Sequence, residues 1–316
     1  MVDSFLAHAG NSGMFRASPF LMESNFQNHI EKAAVLLEAL PYLQEFRGKT
    51  FLIKVGGSAM DDPALVRRLL RDVVFMEVAG INPVIVHGGG KAISAAMQES
   101  GLEAKFVGGQ RVTTDEAMDI VEKTLSGTIN PGLVEGIESF GGRAIGVRGN
   151  EAFIGRRLTG WSDEENREVD LGRVGRVTGF DLSKVHAALV SEIVPVVSPV
   201  ASEEGTKLSL NVNADLAASA LAAELKATKL VYLSDVLGLM EDASDESTLI
   251  HSLKAGEVEG LIEDGVIGGG MLPKVRSSVE ALDAGVGKVH MIDGRISHSL
   301  LLEIFTERGI GTEIIK

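Results

Sequence analysis

Phe51-Leu52-Ile53-Lys54-Val55-Gly56-Gly57-Ser58 and Pro83-Val84-Ile85-Val86-His87-Gly88-Gly89-Gly90 share one plan, an apolar run that ends in glycines. Short β-branched runs bounded by glycine read as buried strands, and the segment beyond each turn reads as helix. After the first turn, Asp61, Asp62 and Pro63 make an acidic, proline-led helix start. After the second, a helix over 91–100 is closed by Gly101, which suits the left-handed position just past a helix end. Further strand candidates at 144–147, 193–197, 230–233 and 289–292 alternate with helical segments. Such alternation predicts a largely parallel sheet covered by helices, an α/β fold. The Arg-rich, Gly-punctuated stretch 149–179 breaks the pattern and predicts antiparallel hairpins decorating one lobe. A shift near 195–202 divides an N-terminal lobe, 48–198, from a C-terminal lobe, 199–316.

Upstream of the first strand, Phe26, Ile30, Ala33, Leu36, Leu37, Leu40, Leu43 and Phe46 recur every three to four residues and predict a helix over 25–47, kinked at Pro41. It has no strand of its own to cover. Its apolar face is expected to pack on another subunit, the alternative being its own domain. Residues 1–24 carry no period and are expected to form a disordered tail.

Composition narrows the function. The 316 residues are 45% hydrophobic, as in an ordinary globular protein, and 30 Lys and Arg against 44 Asp and Glu give a net charge of -14. That balance argues against nucleic-acid binding and against an anionic membrane surface. With no cysteine, disulfides, thiolate metal sites and thiol nucleophiles are excluded, and a cytoplasmic location fits. The seven histidines show no metal-ligand spacing. No apolar run approaches the roughly 18 residues of a membrane span.

Glycines between a strand end and a helix start let backbone N–H groups approach an anion, helped by the helix dipole. Phosphate is the usual guest. Gly48-Lys49-Thr50 imitates the end of a P-loop, but Leu43 stands where its first glycine belongs. Gly268 and Gly270 begin a dinucleotide fingerprint that Pro273 breaks. His87-Gly88-Gly89-Gly90 resembles an esterase oxyanion loop, yet the chain has no nucleophile elbow. Lys54 lies inside an apolar strand and is expected to meet an anion, unless its strand is an exposed edge. Lys274 comes after a third glycine loop, Gly268-Gly269-Gly270, at a helix start. Asn211-Val212-Asn213-Ala214-Asp215 ends a strand over 207–210 and opens an alanine-rich helix, with one Asn available as its cap. Two lysines and glycine N–H groups supply the charge neutralisation that phosphoryl transfer needs, and a carboxylate acceptor, already ionised, needs no general base.

Read together, Lys54-Val55-Gly56-Gly57, His87-Gly88-Gly89-Gly90, Gly109-Gln110-Arg111-Val112-Thr113, Asn211-Val212-Asn213-Ala214-Asp215 and Gly270-Met271-Leu272-Pro273-Lys274 resemble the amino acid kinase family, and within it the N-acetylglutamate kinases. The resemblance runs from about residue 30 to the C-terminus. It implies an open αβα sandwich around a mainly parallel, eight-stranded sheet. It further implies ATP and Mg²⁺ in the C-terminal lobe, N-acetyl-L-glutamate in the N-terminal lobe, and an N-acetyl-L-glutamyl 5-phosphate product on the route to arginine. Lys54 and Lys274 would neutralise the transferring phosphoryl group, with Asp215 orienting both. Gly57 and Gly89 would donate N–H bonds, Gly90, Arg111 and Asn211 would hold the acyl amino acid, and Asp235 and Gly238 would neighbour the nucleotide. The 25–47 helix resembles that of arginine-inhibited members, which interlaces dimers into a homohexamer, a trimer of dimers. Arginine would then bind beside Tyr42, His290, Glu303 and Gly309, with Glu303 meeting its guanidinium. Glu303 taken alone reads as a solvated helix face. The alternative is another carboxylate or carbamate kinase, such as a glutamate 5-kinase. Val147-Arg148-Gly149-Asn150-Glu151, and Arg156, Arg157 and Trp161 in the hairpin that follows, depart from the family pattern around the substrate lid.

Overall fold

The computed structural model describes residues 19–162, 166–242, 244–306 and 309–316. It distinguishes two units, Met1–Gln44 and Glu45–Lys316. In the first, α1 (Pro19–Glu38) is followed by the start of α2 (Leu40–Phe46). The helix expected to open at Asn25 thus begins at Pro19, so 19–24 are helical, while residues 1–18 of the expected tail lie outside the described residues. The break falls at Ala39, ahead of Pro41. Proline's ring would clash with the carbonyl four residues back, whereas in the first turn of a new helix its missing N–H has no consequence. Phe26, Ile30, Val35, Leu36 and Leu37 of α1 are exposed.

The second unit contains the strands β1 (Thr50–Val55), β2 (Asn82–His87), β3 (Phe106–Val107), β4 (Gln110–Arg111), β5 (Ala144–Val147), β6 (Phe153–Ser162), β7 (Arg167–Phe180), β8 (Val194–Val197), β9 (Val200–Glu203), β10 (Ser209–Val212), β11 (Lys229–Ser234), β12 (Ser252–Lys254), β13 (Lys288–Asp293) and β14 (Thr312–Ile315). Its helices are α3 (Pro63–Val78), α4 (Gly90–Glu99), α5 (Asp115–Thr124), α6 (Asn130–Glu138), α7 (Gly149–Ala152), α8 (Ser183–Val190), α9 (Ala214–Glu224), α10 (Val258–Glu263), α11 (Met271–Asp283) and α12 (Ser299–Ile304). Eight strands form one sheet in the order β12-β14-β13-β11-β1-β2-β8-β5, parallel at every pairing except β13 with β14. The chain runs outward from β1 through β2 on one side and returns to β11 on the other. β1 is therefore the switch point, and the crevice at the carboxyl ends of β1 and β2 is where an open α/β sheet receives ligands.

Local chemistry fixes these elements. Asp62 caps α3, accepting a hydrogen bond from the Ala64 N–H at 2.7 Å, with Pro63 in the first turn. Leu52, Val84, Val86, Leu230 and Tyr232 pack in one buried cluster with Ala217 and Leu221 of α9 and Val275 and Leu282 of α11. The 149–179 stretch holds the expected antiparallel pairing, as one long hairpin of β6 and β7, and this hairpin closes with β9 and β10 into a four-stranded ring. The strand expected over 207–210 begins instead at Ser209, because Lys207 has a positive φ of 62° that no strand accommodates. Asn211 is thereby inside β10. No helix among the described residues is long and apolar enough to cross a membrane.

Candidate active site

Alternation along β1 puts Leu52 and Lys54 on the face that α9 covers, and α9 carries Asp215 in its first turn. Asn213 caps that helix, accepting from the N–H groups of Asp215 at 2.8 Å and Leu216 at 3.2 Å. Lys54 Nζ lies 2.7 Å from Asp215 Oδ1, and Lys274 Nζ, from the first turn of α11, lies 3.8 Å from Asp215 Oδ2. Lys54 and Lys274 are only 7% and 8% exposed, and β1 is a central strand, so the edge-lysine alternative fails. Burial pushes Lys274 below the usual ammonium range, with the Asp215 charge opposing it. Burial also works to raise Asp215, but the two ammonium charges outweigh it and hold the carboxyl below its ordinary value. Asp215 is therefore ionised at neutral pH, a negative charge held between two ammonium groups.

The glycine turns complete the cradle. Gly57 adopts φ +63°, and a side chain at Gly56 would collide with the Lys54 ammonium, which folds back over the turn. Asp235 lies beside Gly57. A cavity of about 240 Å³ opens here, lined by Lys54, Gly57, Gly89, Arg111, Asn211 and Asp215 among others. Gly90 lines it too. Arg111 closes one wall: NH2 donates to Gly90 O and Ser94 Oγ, both at 2.8 Å, and the guanidinium lies 4.7 Å over the Phe106 ring. Asn211 Nδ2 donates to Thr113 Oγ1 at 3.1 Å, and that hydroxyl donates to Arg111 O at 2.8 Å. Thr113 thus ties β10 to the Arg111 loop. Gly238 is buried with its backbone against Thr312 of β14.

The amino acid kinase family model matches residues 49–293. The chain is 59% identical over 295 residues to an acetylglutamate kinase of Akkermansia muciniphila, covering 93% of this chain and 99% of that one. It is 47% identical to an acetylglutamate kinase of Aquifex aeolicus, covering 90% and 98%. The chain belongs to the amino acid kinase family, in its acetylglutamate kinase branch. Among solved structures, N-acetylglutamate synthase from Neisseria gonorrhoeae, complexed with coenzyme A and N-acetyl-glutamate, aligns with a TM-score of 0.77 at 25% identity; the alignment covers 90% of this chain and 63% of that one. Carbamate kinase from Giardia lamblia, at 18% identity and a TM-score of 0.60, shares the fold.

In this amino acid kinase a second cluster gathers three residues of the expected arginine site. His290, on β13, places Nδ1 2.7 Å from Glu303 Oε1 of α12, while Ile310 and Gly311 N–H groups donate to Glu303 Oε2 at 2.6 and 3.1 Å. Gly309 lies against the same carboxylate. Glu303 is 6% exposed, so the solvated-face reading fails, and both its oxygens are engaged by its own chain. His290 Nε2 is buried with no hydrogen-bond partner. Tyr42 sits on α2, in the N-terminal unit. The His87-Gly88-Gly89-Gly90 motif gave His87 no role of its own and nothing singled out Asn130, yet the two lie buried side by side at the glycine turn. The polar residue closing an otherwise apolar β2 was the available signal.

Proposed function

We propose that this chain transfers the terminal phosphoryl group of ATP to the side-chain carboxylate of N-acetyl-L-glutamate, as a step of arginine biosynthesis. The carrying observation is the convergence of Lys54 and Lys274 on Asp215 at the glycine turns. The acceptor carboxylate oxygen attacks the phosphorus, the bond to the bridging oxygen of ADP breaks, and charge spreads over the equatorial oxygens. Lys54 and Lys274 balance that charge from either side of Asp215, while the Gly57 and Gly89 N–H groups serve as fixed donors. Arg111 and Asn211, with Gly90, receive the acyl amino acid. Asp235 and Gly238 neighbour the nucleotide in the C-terminal lobe. Bound Mg²⁺ would supply further charge neutralisation on the phosphates. Among the described residues no cluster of three or more His, Asp or Glu could hold a metal, so phosphate oxygens are its natural ligands.

The same reading makes arginine the effector and the cytoplasm the location. A buried imidazole nitrogen in need of a donor, beside an ionised carboxylate, supports a guanidinium site at His290 and Glu303. The exposed apolar residues of α1 support a homohexamer assembled through that helix. Acyl-phosphate formation from ATP, Mg²⁺ and acetylglutamate, with and without arginine and with free glutamate as comparator, tests the whole. Lys54→Ala is expected to cut kcat on the order of 100-fold or more with little change in acetylglutamate affinity. A turnover number near wild type would remove Lys54 from its role.

A further inference from the structure

His87 ends β2 with a side chain that is fully buried. Its Nδ1 lies 2.9 Å from Gly88 O, and a carbonyl only accepts, so Nδ1 carries the proton. Nε2 faces Asn130 Nδ2 at 3.3 Å, and the same amide nitrogen donates to Val196 O at 2.8 Å. That second bond fixes the amide orientation, since Asn130 Oδ1 could not face a carbonyl. Nε2 is then held as an acceptor, and the ring is locked as one neutral tautomer. Burial agrees, driving the imidazole down to about 4.

Gly88 O belongs to the peptide whose N–H is that of Gly89. The chain has no cis peptide bonds among the described residues, so the two groups point in opposite directions. Gly88 N–H is itself tied to Val55 O at 2.7 Å, which anchors the near side of this peptide to β1. Gly89 is the N-cap of α4, where N–H groups have no acceptor within the helix. The imidazole is buried and lines no part of the cavity, whereas Gly88, Gly89 and Gly90 do.

We propose that His87, locked by Asn130, is a positioning residue: its Nδ1–H holds the Gly88 carbonyl and so aims the Gly89 N–H at the transferring phosphoryl group. It touches neither substrate. This rests on the reading that Gly89 donates to that group. The pair also links two elements of different origin, because Asn130 stands where the π-helical turn Leu125–Ile129 enters α6. The Leu125 and Ile129 side chains of that turn sit directly against Gly89.

Three substitutions separate positioning from filling. Asn at 87 places an amide N–H where Nδ1 stands; Gln places one where Nε2 stands; Leu places none. His87→Asn should retain kcat within a few-fold, whereas His87→Gln and His87→Leu should lose about 100-fold, the scale of misplacing a catalytic donor by about an ångström. KM for acetylglutamate should move little in all three. A merely structural role predicts the opposite order, with Gln, the better mimic of volume, above Asn. Thermal melts of each variant separate loss of fold from loss of turnover, and a folded His87→Leu enzyme with wild-type kcat overturns the proposal. The underlying reading is tested apart from it, in wild-type protein, by the Gly89 amide resonance on adding ADP, Mg²⁺ and aluminium fluoride. A shifted resonance with active His87→Leu sinks only the positioning role; an unshifted one sinks the Gly89 assignment itself.

Discussion

Asp215→Asn removes the charge that two ammonium groups share while keeping the side chain's shape. The carboxylate stands 2.7 Å from Lys54 Nζ and 3.8 Å from Lys274 Nζ. At an effective dielectric of about 20 those separations correspond to gross attractions of roughly 6 and 4 kcal/mol, most of which repays desolvation. The substitution exposes the uncompensated remainder. Removing one member of a buried ion cluster costs about 3–5 kcal/mol, and the lower end applies because the Asp215 side chain is 21% exposed and water relieves part of the field. At about 2–4 °C per kcal/mol for a large domain, the variant should melt roughly 6–12 °C below wild type. An anion in the cradle replaces the missing charge, so inorganic tripolyphosphate should raise the melting point of the variant more than that of the wild type. Turnover should fall, since the lysines lose the group that aims them. Differential scanning fluorimetry with and without tripolyphosphate, paired with initial rates, reads all three effects. A variant that melts within about 2 °C of wild type and gains no extra anion stabilisation would refute the claim that Asp215 holds the lysines together.

Two other parts of the molecule give further expected outcomes. Because burial lowers His87 from 6.5 to about 4, the unfolded chain binds a proton between those values that the folded chain does not. Its contribution is whole above pH 6.5 and shrinks as the pH falls toward the folded value, by about 3 kcal/mol at 1.36 kcal/mol per unit. Urea titrations across that window should show the slope in wild type and a smaller one in His87→Asn; equal slopes would contradict a neutral buried imidazole. Arg111→Lys should raise the acetylglutamate KM by about 10-fold or more with a smaller change in kcat, because an ammonium cannot reproduce the guanidinium fork and its stacking on Phe106. Steady-state kinetics check it, and an unchanged KM would take Arg111 out of the acyl amino acid pocket.

The parallel sheet, both glycine turns and the Asp62 cap were legible in the order of residues, because each depends on neighbours a few positions away. Apolar runs ending in glycine, and Asp before Pro, leave the backbone few alternatives. The composition of 207–210 suits a strand throughout, but Lys207 turns left-handed, so β10 starts only at Ser209. The break in the N-terminal helix was misjudged by two residues' worth of geometry, since proline disturbs the turn before it rather than its own position.

Other features needed the folded chain. The residues around Lys54 and Lys274 call only for some anion and the family resemblance named Asp215 for both, but the crossing of β1, α9 and α11 is what brings that carboxylate to 2.7 and 3.8 Å from them. Glu303 looks like surface in the linear chain and is buried because α12 packs it on His290 and the turn at 309–311 returns to it. The tautomer of His87 depends on Asn130 and on a carbonyl of β8, three segments that no local pattern connects. Periodicity and turn chemistry are short-range, so they are written in neighbouring letters. Charge compensation and hydrogen-bond direction are settled by the groups that lie across a few ångströms of space, and only packing decides which groups those are.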